Sequence, residues 1–215
     1  SMHLVISSRA HPPFPIALWR ARQHIHEMDT PALRFTDQEA ETFLKGTVGN
    51  SLTGEMQKII QNKTEGWAAG LQLAALSARS ATDALAFIQS FANHGSAGIR
   101  EFLLDQAFLS QPSAIQEFLL KTSILHRFTA PVCNALGLSG ENLRNTQDTI
   151  DILCRTNLFI VPLDEQTEWF RYHNLFAEML QRRLKVQYGT KEIRDLHRRA
   201  MQWFEAHDLI DDAIE

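Results

Sequence analysis

Apolar positions along the 215 residues recur mainly at the three-to-four-residue interval of helices, and two stretches break that rhythm. The first lies at the start, where residues 3–8 read HLVISS. A short apolar run of this kind suits a buried strand of a parallel sheet. No other strand candidate follows until about Leu158, so this strand is expected to be parted from its sheet neighbours, and the chain reads as a piece of a longer protein. Past the proline-bearing turn at residues 11–15, helical spacing takes over. It predicts helices over 16–28, from 36 onward, and over 55–62, 65–79, 83–92 and 99–109. Thr36 followed three residues later by Glu39 is a capping box, and it points Ala40, Phe43 and Leu44 inward.

A second unit begins near Pro112. Helices are predicted over 113–125 with Ser113 as cap, over 130–136 closed by Gly137, and over 143–154. The second break in the rhythm follows, where apolar runs at 158–163 and 169–172 bracket a polar turn at 164–167. Three helices and a β-hairpin make the winged-helix pattern. A helix over 173–186 buries Leu175, Phe176, Met179 and Leu180. From Lys191 a stripe of Leu196, Ala200, Trp203 and Phe204 starts another helix, and residues 206–215 read as the turn into a partner helix. The expected fold class is therefore mainly α. Residues 1–15 hold the strand and its following turn, 16–110 a small helical domain, 111–187 a winged-helix domain, and 188–215 the start of a TPR-like helical repeat arm.

Composition narrows the function less than charge placement does. Apolar residues make up 44% of the chain, enough for a sizeable core without disulfides, and Cys133 and Cys154 read as separate reduced thiols. No apolar run nears the roughly 20 residues of a membrane span. A net charge of −4 argues against nucleic-acid binding by the whole chain. The winged-helix unit is the obvious DNA reader, yet its third helix balances Arg144 and Arg155 against Asp148 and Asp151. Its hairpin sets one cation, Arg171, against Asp164, Glu165 and Glu168. A major-groove reader needs cations to neutralise phosphates, and these surfaces lack them. A basic stretch at 181–200 carries Arg182, Arg183, Lys185, Lys191, Arg194, Arg198 and Arg199. It reads either as a solvated helix face or as a contact for another domain or nucleic acid.

Candidate chemistry is sparse. Gly49 and Gly54 have phosphate-loop spacing, but Glu55 and Met56 stand where Lys and Ser or Thr are required, and a carboxylate there repels a nucleotide. Arg9 follows the first strand, where a residue faces the ligand crevice of a parallel sheet. His173 opens a helix after the second hairpin strand, where an imidazole can meet a phosphate or cap its own helix. The other histidines lack metal-ligand spacing.

Four segments in order, LVISSR (4–9), WRAR…LRFT (19–36), EGWAAGLQLAALSAR (65–79) and WFRYHNLFAEML (169–180), resemble the MalT-type, ATP-dependent regulators of the LuxR group, within the STAND class of signal-transducing NTPases. The resemblance covers essentially the whole chain. It implies an upstream phosphate-loop core that binds ATP or ADP with Mg, a downstream sensor arm that takes a small-molecule inducer, self-association on activation, and DNA binding through a separate C-terminal domain. It implies a cytoplasmic protein. Arg9 would be the nucleotide-sensing arginine, and His173 the histidine that meets the β-phosphate of ADP. The 215 residues would then be a regulatory module, not an enzyme, with no cofactor of their own. One departure is Gln72 after Gly70-Leu71, where related proteins carry a proline, and it leaves a nucleotide contact from that helix in doubt. Two rival readings are an independent winged-helix DNA-binding module and a helical protein-interaction scaffold.

Overall fold

A computed structural model describes residues 4–7, 14–49, 52–138, 145–156, 158–164, 166 and 168–214. It is mainly helical, as the periodicity predicts. The first half runs α1 (Ile16–Ala21), a 3₁₀ turn (Pro31–Leu33), α2 (Asp37–Val48), α3 (Gly54–Thr64), α4 (Ala68–Ser80), α5 (Ala84–His94) and α6 (Ala97–Phe102). A π-helical segment, Leu103–Leu109, continues α6. The second half runs α7 (Ser113–Thr122), α8 (Ala130–Ala135), α9 (Thr146–Arg155), β1 (Ile160–Pro162), β2 (Phe170–Tyr172), α10 (Asn174–Gln187), α11 (Thr190–Ala206) and α12 (Ile210–Ile214).

Local chemistry explains most of the boundaries. The capping box forms at α2: the Thr36 hydroxyl accepts from the Glu39 amide, and the Glu39 carboxylate accepts from the Thr36 amide at 2.9 Å. Asp83 caps α5 through the amides of Leu85 and Ala86. Gly137 ends the α8 turn in the left-handed region, at φ 81°, where a side chain would be strained. Three expectations need correction. The first helix stops at Ala21 instead of continuing to 28. Helix α7 begins at Ser113 with Pro112 as its cap, so Ser113 is not the cap, and it ends at Thr122. Helix α4 starts at Ala68, because Glu65 (φ 49°) and Gly66 (φ 72°) turn through left-handed space first. The start of the third winged-helix helix predicted at 143 lies outside the described residues. Residues 4–7 form no strand: Leu4, Val5 and Ile6 are 72, 89 and 52% exposed, and no sheet among the described residues receives them.

Antiparallel β1 and β2 pair Ile160 with Tyr172, Val161 with Arg171 and Pro162 with Phe170. On the other edge of β2, Phe128 and Phe170 exchange two backbone hydrogen bonds of 2.8 and 2.9 Å, which adds a third short rung ahead of α8. β2 is thus the central strand of the wing. Its alternation buries Phe170 and Tyr172 in the core and leaves Trp169 and Arg171 on the opposite face. Phe118, Phe128 and Phe176 are fully buried, and the Tyr172 hydroxyl bonds the Thr122 hydroxyl at 2.6 Å. Helix α10 leaves the wing and packs on α3, α6 and α7, so it belongs to both halves of the chain. No helix among the described residues is long and apolar enough to cross a membrane.

Candidate functional site between the helical domain and the wing

The C-terminus of α3 meets the end of β2. A helix leaves its last carbonyls without partners in the helix. Here the Thr64 carbonyl accepts from the Trp67 amide at 2.8 Å and from His173 Nε2 at 2.9 Å. That bond places the imidazole proton on Nε2 and leaves Nδ1 with a lone pair. His173 is only 4% exposed, and Nδ1 is buried without a hydrogen-bond partner among the described residues. Burial pushes its pKa below the usual histidine value, and this outweighs the nearby Glu65 carboxylate, which pulls the other way. His173 sits at the N-cap position of α10, but its side chain makes no cap bond to that helix.

One residue along from Thr64, the Glu65 carboxylate binds Arg171 through two parallel hydrogen bonds of 3.0 and 2.7 Å. It also accepts the Asn174 amide, the first of α10, at 3.0 Å, and Arg34 lies 3.9 Å away. Burial alone would raise the Glu65 pKa, but its hydrogen bonds and the charges of Arg171 and His173 leave it lowered. Two guanidiniums against one carboxylate give the junction one net positive charge. The turn itself is fixed by space. The Gly66 carbonyl accepts the Phe35 amide at 2.9 Å, and a Cβ on Gly66 would lie 2.4 Å from the Phe35 carbonyl.

An aromatic wedge fills the corner. The Trp67 ring meets Phe159 edge-on at 5.1 Å, and lies 6.1 Å from His173 and 5.8 Å from Phe102. Gly70 makes room for it: a Cβ there would stand 2.5 Å from the indole. Phe159 adopts φ 54°, a costly conformation for a bulky residue. It is held there while its carbonyl accepts the His173 amide at 2.8 Å and its ring packs on Phe176. Further along α10, Glu178 pairs with Lys63 of α3 at 2.5 Å, and Arg182 donates to the Asn93 carbonyl at 3.3 Å.

Of the two residues singled out from sequence, His173 is thus a buried tie between the end of α3 and the wing, and Arg9 lies outside the described residues. Sequence reasoning missed Glu65. The available signal was an acid at the C-terminal end of a helix, where the helix dipole disfavours negative charge and asks for cations from elsewhere.

The same geometry bears on DNA. Arg171 is turned into Glu65. Arg127, beside the wing, forms a bidentate pair with Asp212 at 2.7 and 2.6 Å and stacks on Trp169 at 4.4 Å. Within the basic stretch, Arg199 donates to the Leu136 carbonyl at 3.1 Å and Arg198 pairs with Asp195 at 3.0 Å. With Arg182 bonded to the Asn93 carbonyl, three of the seven cations in that stretch are tied internally.

Comparison with known proteins places the wing in a family. Residues 104–192 match the MalT winged helix domain. The chain carries a MalT-type winged-helix domain. Over 94% of its length it is 32% identical to the HTH-type transcriptional regulator MalT of Serratia proteamaculans, covering 22% of that protein. It is 30% identical over its full length to MalT of Klebsiella pneumoniae, covering 23% of it. It is also 30% identical over its full length to the serine/threonine-protein kinase PknK of Mycobacterium tuberculosis, covering 19% of it. The chain spans about a fifth of the length of these relatives. Over this stretch it is similar to proteins named transcriptional regulators and to one named a kinase.

Proposed function

We propose that these residues form the relay of a nucleotide-switched regulator. They would pass the state of an ATP- or ADP-binding core to a sensor arm that takes an inducer. One observation carries this reading: a network of Glu65, Arg171, Asn174 and the buried His173 joins the end of α3 to the wing, and it includes the one described residue that the family resemblance singles out, His173. The breadth of the relatives supports it. The same stretch aligns in full with proteins named transcription regulators and with one named a kinase. A relay role is one that a regulator and a kinase could have in common over this stretch.

His173 fits a phosphate neighbour on one condition. Its orphaned Nδ1 has a lone pair and can donate only after the ring takes a second proton. A bound phosphate would supply the negative charge that favours the protonated ring. Arg34 and Arg171 already make the surroundings net positive. On this reading His173 would hold the phosphate in the longer protein, together with Arg9. The 215 residues would not be an enzyme by themselves and would hold no nucleotide alone. Two charge-assisted hydrogen bonds, each worth about 1.5–3 kcal/mol, fall short of the cost of association.

The test is ADP affinity in the longer protein with His173→Ala and His173→Gln. The relay reading expects about tenfold weaker binding for each, and proton uptake on binding that disappears in both. Unchanged affinity and unchanged proton uptake would refute it. The DNA-module reading is disfavoured by Arg171 being committed to Glu65.

A further inference from the structure

Below the wing lies a cleft that plays no part in the junction above. It encloses about 330 Å³ between the α7–α8 connection and the α11–α12 pair, at the lower end of the range of small-molecule sites, about 300–1,000 Å³. Leu125, Ala200 and Phe204 give it an apolar floor. Arg194, His197, Arg198 and Met201 face it from α11, at the spacing that aligns residues on one side of a helix. Arg127 and Asp212 form part of its wall. Its charged groups are three arginines against one carboxylate, a balance of plus two.

The structure already shows a carboxylate bound here, and it belongs to the protein. Asp212, from the short helix α12, takes both guanidinium nitrogens of Arg127 in fork geometry. The far side of the same guanidinium stacks on Trp169 of the wing. Arg198 is engaged by Asp195, while Arg194 and His197 reach the cleft with no hydrogen bond or ion pair among the described residues. A cleft with an apolar floor, surplus cations and an internal carboxylate in place selects for one chemistry. An inorganic anion would leave the floor wet, and a neutral apolar molecule would leave the cations unused.

We propose that this cleft binds a small organic carboxylate with an apolar body. Its carboxylate competes with Asp212 for Arg127 and is also held by Arg194 and His197. Because Arg127 lies on Trp169, exchange of one carboxylate for the other is felt by the wing. The site stands on the cleft alone and is independent of the nucleotide relay.

The experiment titrates the 215-residue chain with hexanoate, hexanol and inorganic phosphate, by calorimetry and tryptophan fluorescence. Hexanoate is expected to saturate with a Kd on the order of 0.1–1 mM and to change the fluorescence. Hexanol and phosphate are expected to bind at least about tenfold more weakly. Asp212→Asn removes the internal competitor, so it should bind hexanoate at least about threefold more tightly. The Arg194→Gln/His197→Gln double variant changes only exposed side chains, so folding is spared, and it should weaken hexanoate by about tenfold. No saturation by about 20 mM hexanoate, or an unaffected double variant, would overturn the proposal. Equal binding of hexanol would reduce the cleft to a greasy patch, and equal binding of phosphate would reduce it to a plain anion site; either result overturns it. Asp212→Asn binding no more tightly would overturn the competition with Asp212.

Discussion

Removing the Glu65 carboxylate is the sharpest perturbation of the junction. In Glu65→Ala, Arg171 keeps only its 3.1 Å bond to the Tyr172 carbonyl, and the Asn174 amide at the start of α10 loses its acceptor. The backbone turn is little changed, since Glu65 already sits in left-handed space without glycine. Breaking a fully buried pair costs about 3–5 kcal/mol. The Glu65 side chain is 12% exposed and that of Arg171 29%, so water recovers part of this. The expected loss is about 2–3 kcal/mol for Ala and about 1–2 kcal/mol for Gln, whose single amide oxygen can still accept while its NH2 group cannot take the second Arg171 bond. For a chain of this length that lowers Tm by roughly 4–12 °C for Ala. The assay is thermal and urea unfolding of wild type, Glu65→Ala, Arg171→Leu and the double variant. The pair should show a coupling of at least about 1 kcal/mol. A coupling under about 0.3 kcal/mol, or a Glu65→Ala stability within about 0.5 kcal/mol of wild type, would refute the junction as a stabilising contact.

Other predictions follow from the same geometry. Stability should fall as pH drops below about 6.5. The unfolded chain takes a proton on His173 near that pH, while the folded chain resists until its lowered pKa is reached, so acid favours unfolding in between. Glu65, also lowered, adds a second loss below about pH 4.5 as its carboxylate is forced to protonate. In His173→Gln the first of these slopes should flatten in a pH series of urea unfolding; an unchanged slope would assign it to another group. Gly70→Ala should destabilise by about 1–3 kcal/mol, because the indole 2.5 Å from the new methyl outweighs a gain of about 1 kcal/mol in helix propensity. Near-ultraviolet circular dichroism should register the displaced Trp67, and a more stable variant would contradict the wedge. Duplex DNA should not be retarded by the chain in a low-salt gel shift; salt-dependent retardation would revive the DNA-module reading.

The local signals proved readable because they are written within a few residues. The Thr36–Glu39 capping box, the Asp83 start of α5, the Gly137 stop and the β-hairpin around the polar turn each depend on neighbours in sequence. The burial of Leu196, Ala200 and Phe204 follows directly from helical spacing. The break between the two helices is legible from polar residues 61–64, but they put the turn two residues early, because the left-handed turn at Glu65 and Gly66 is set by the close approach of Phe35 and not by local spacing. Glu65 and Arg171 are 106 residues apart, and no local pattern announces such a pair. His173 was noticed for its position, but its partner, a carbonyl at the end of α3, carries no residue-type signature. The apolar run at the start met the limit of any strand reading, since a strand is defined by the edge it joins.

The alternation of β2 has a consequence for how the wing can vary. Trp169 and Arg171 stand two residues apart on one face; one reaches toward α12 through Arg127 and Asp212, the other toward α3 through Glu65. Inserting a single residue between them would turn one anchor into the interior and bring a core aromatic to the surface. Upstream, the Asp164 carboxylate accepts the amides of Glu168 and Trp169, both at 2.8 Å, and closes the hairpin tip independently of either anchor. Length changes among homologous wings should therefore collect at that tip, while the three positions from Trp169 to Arg171 keep their count.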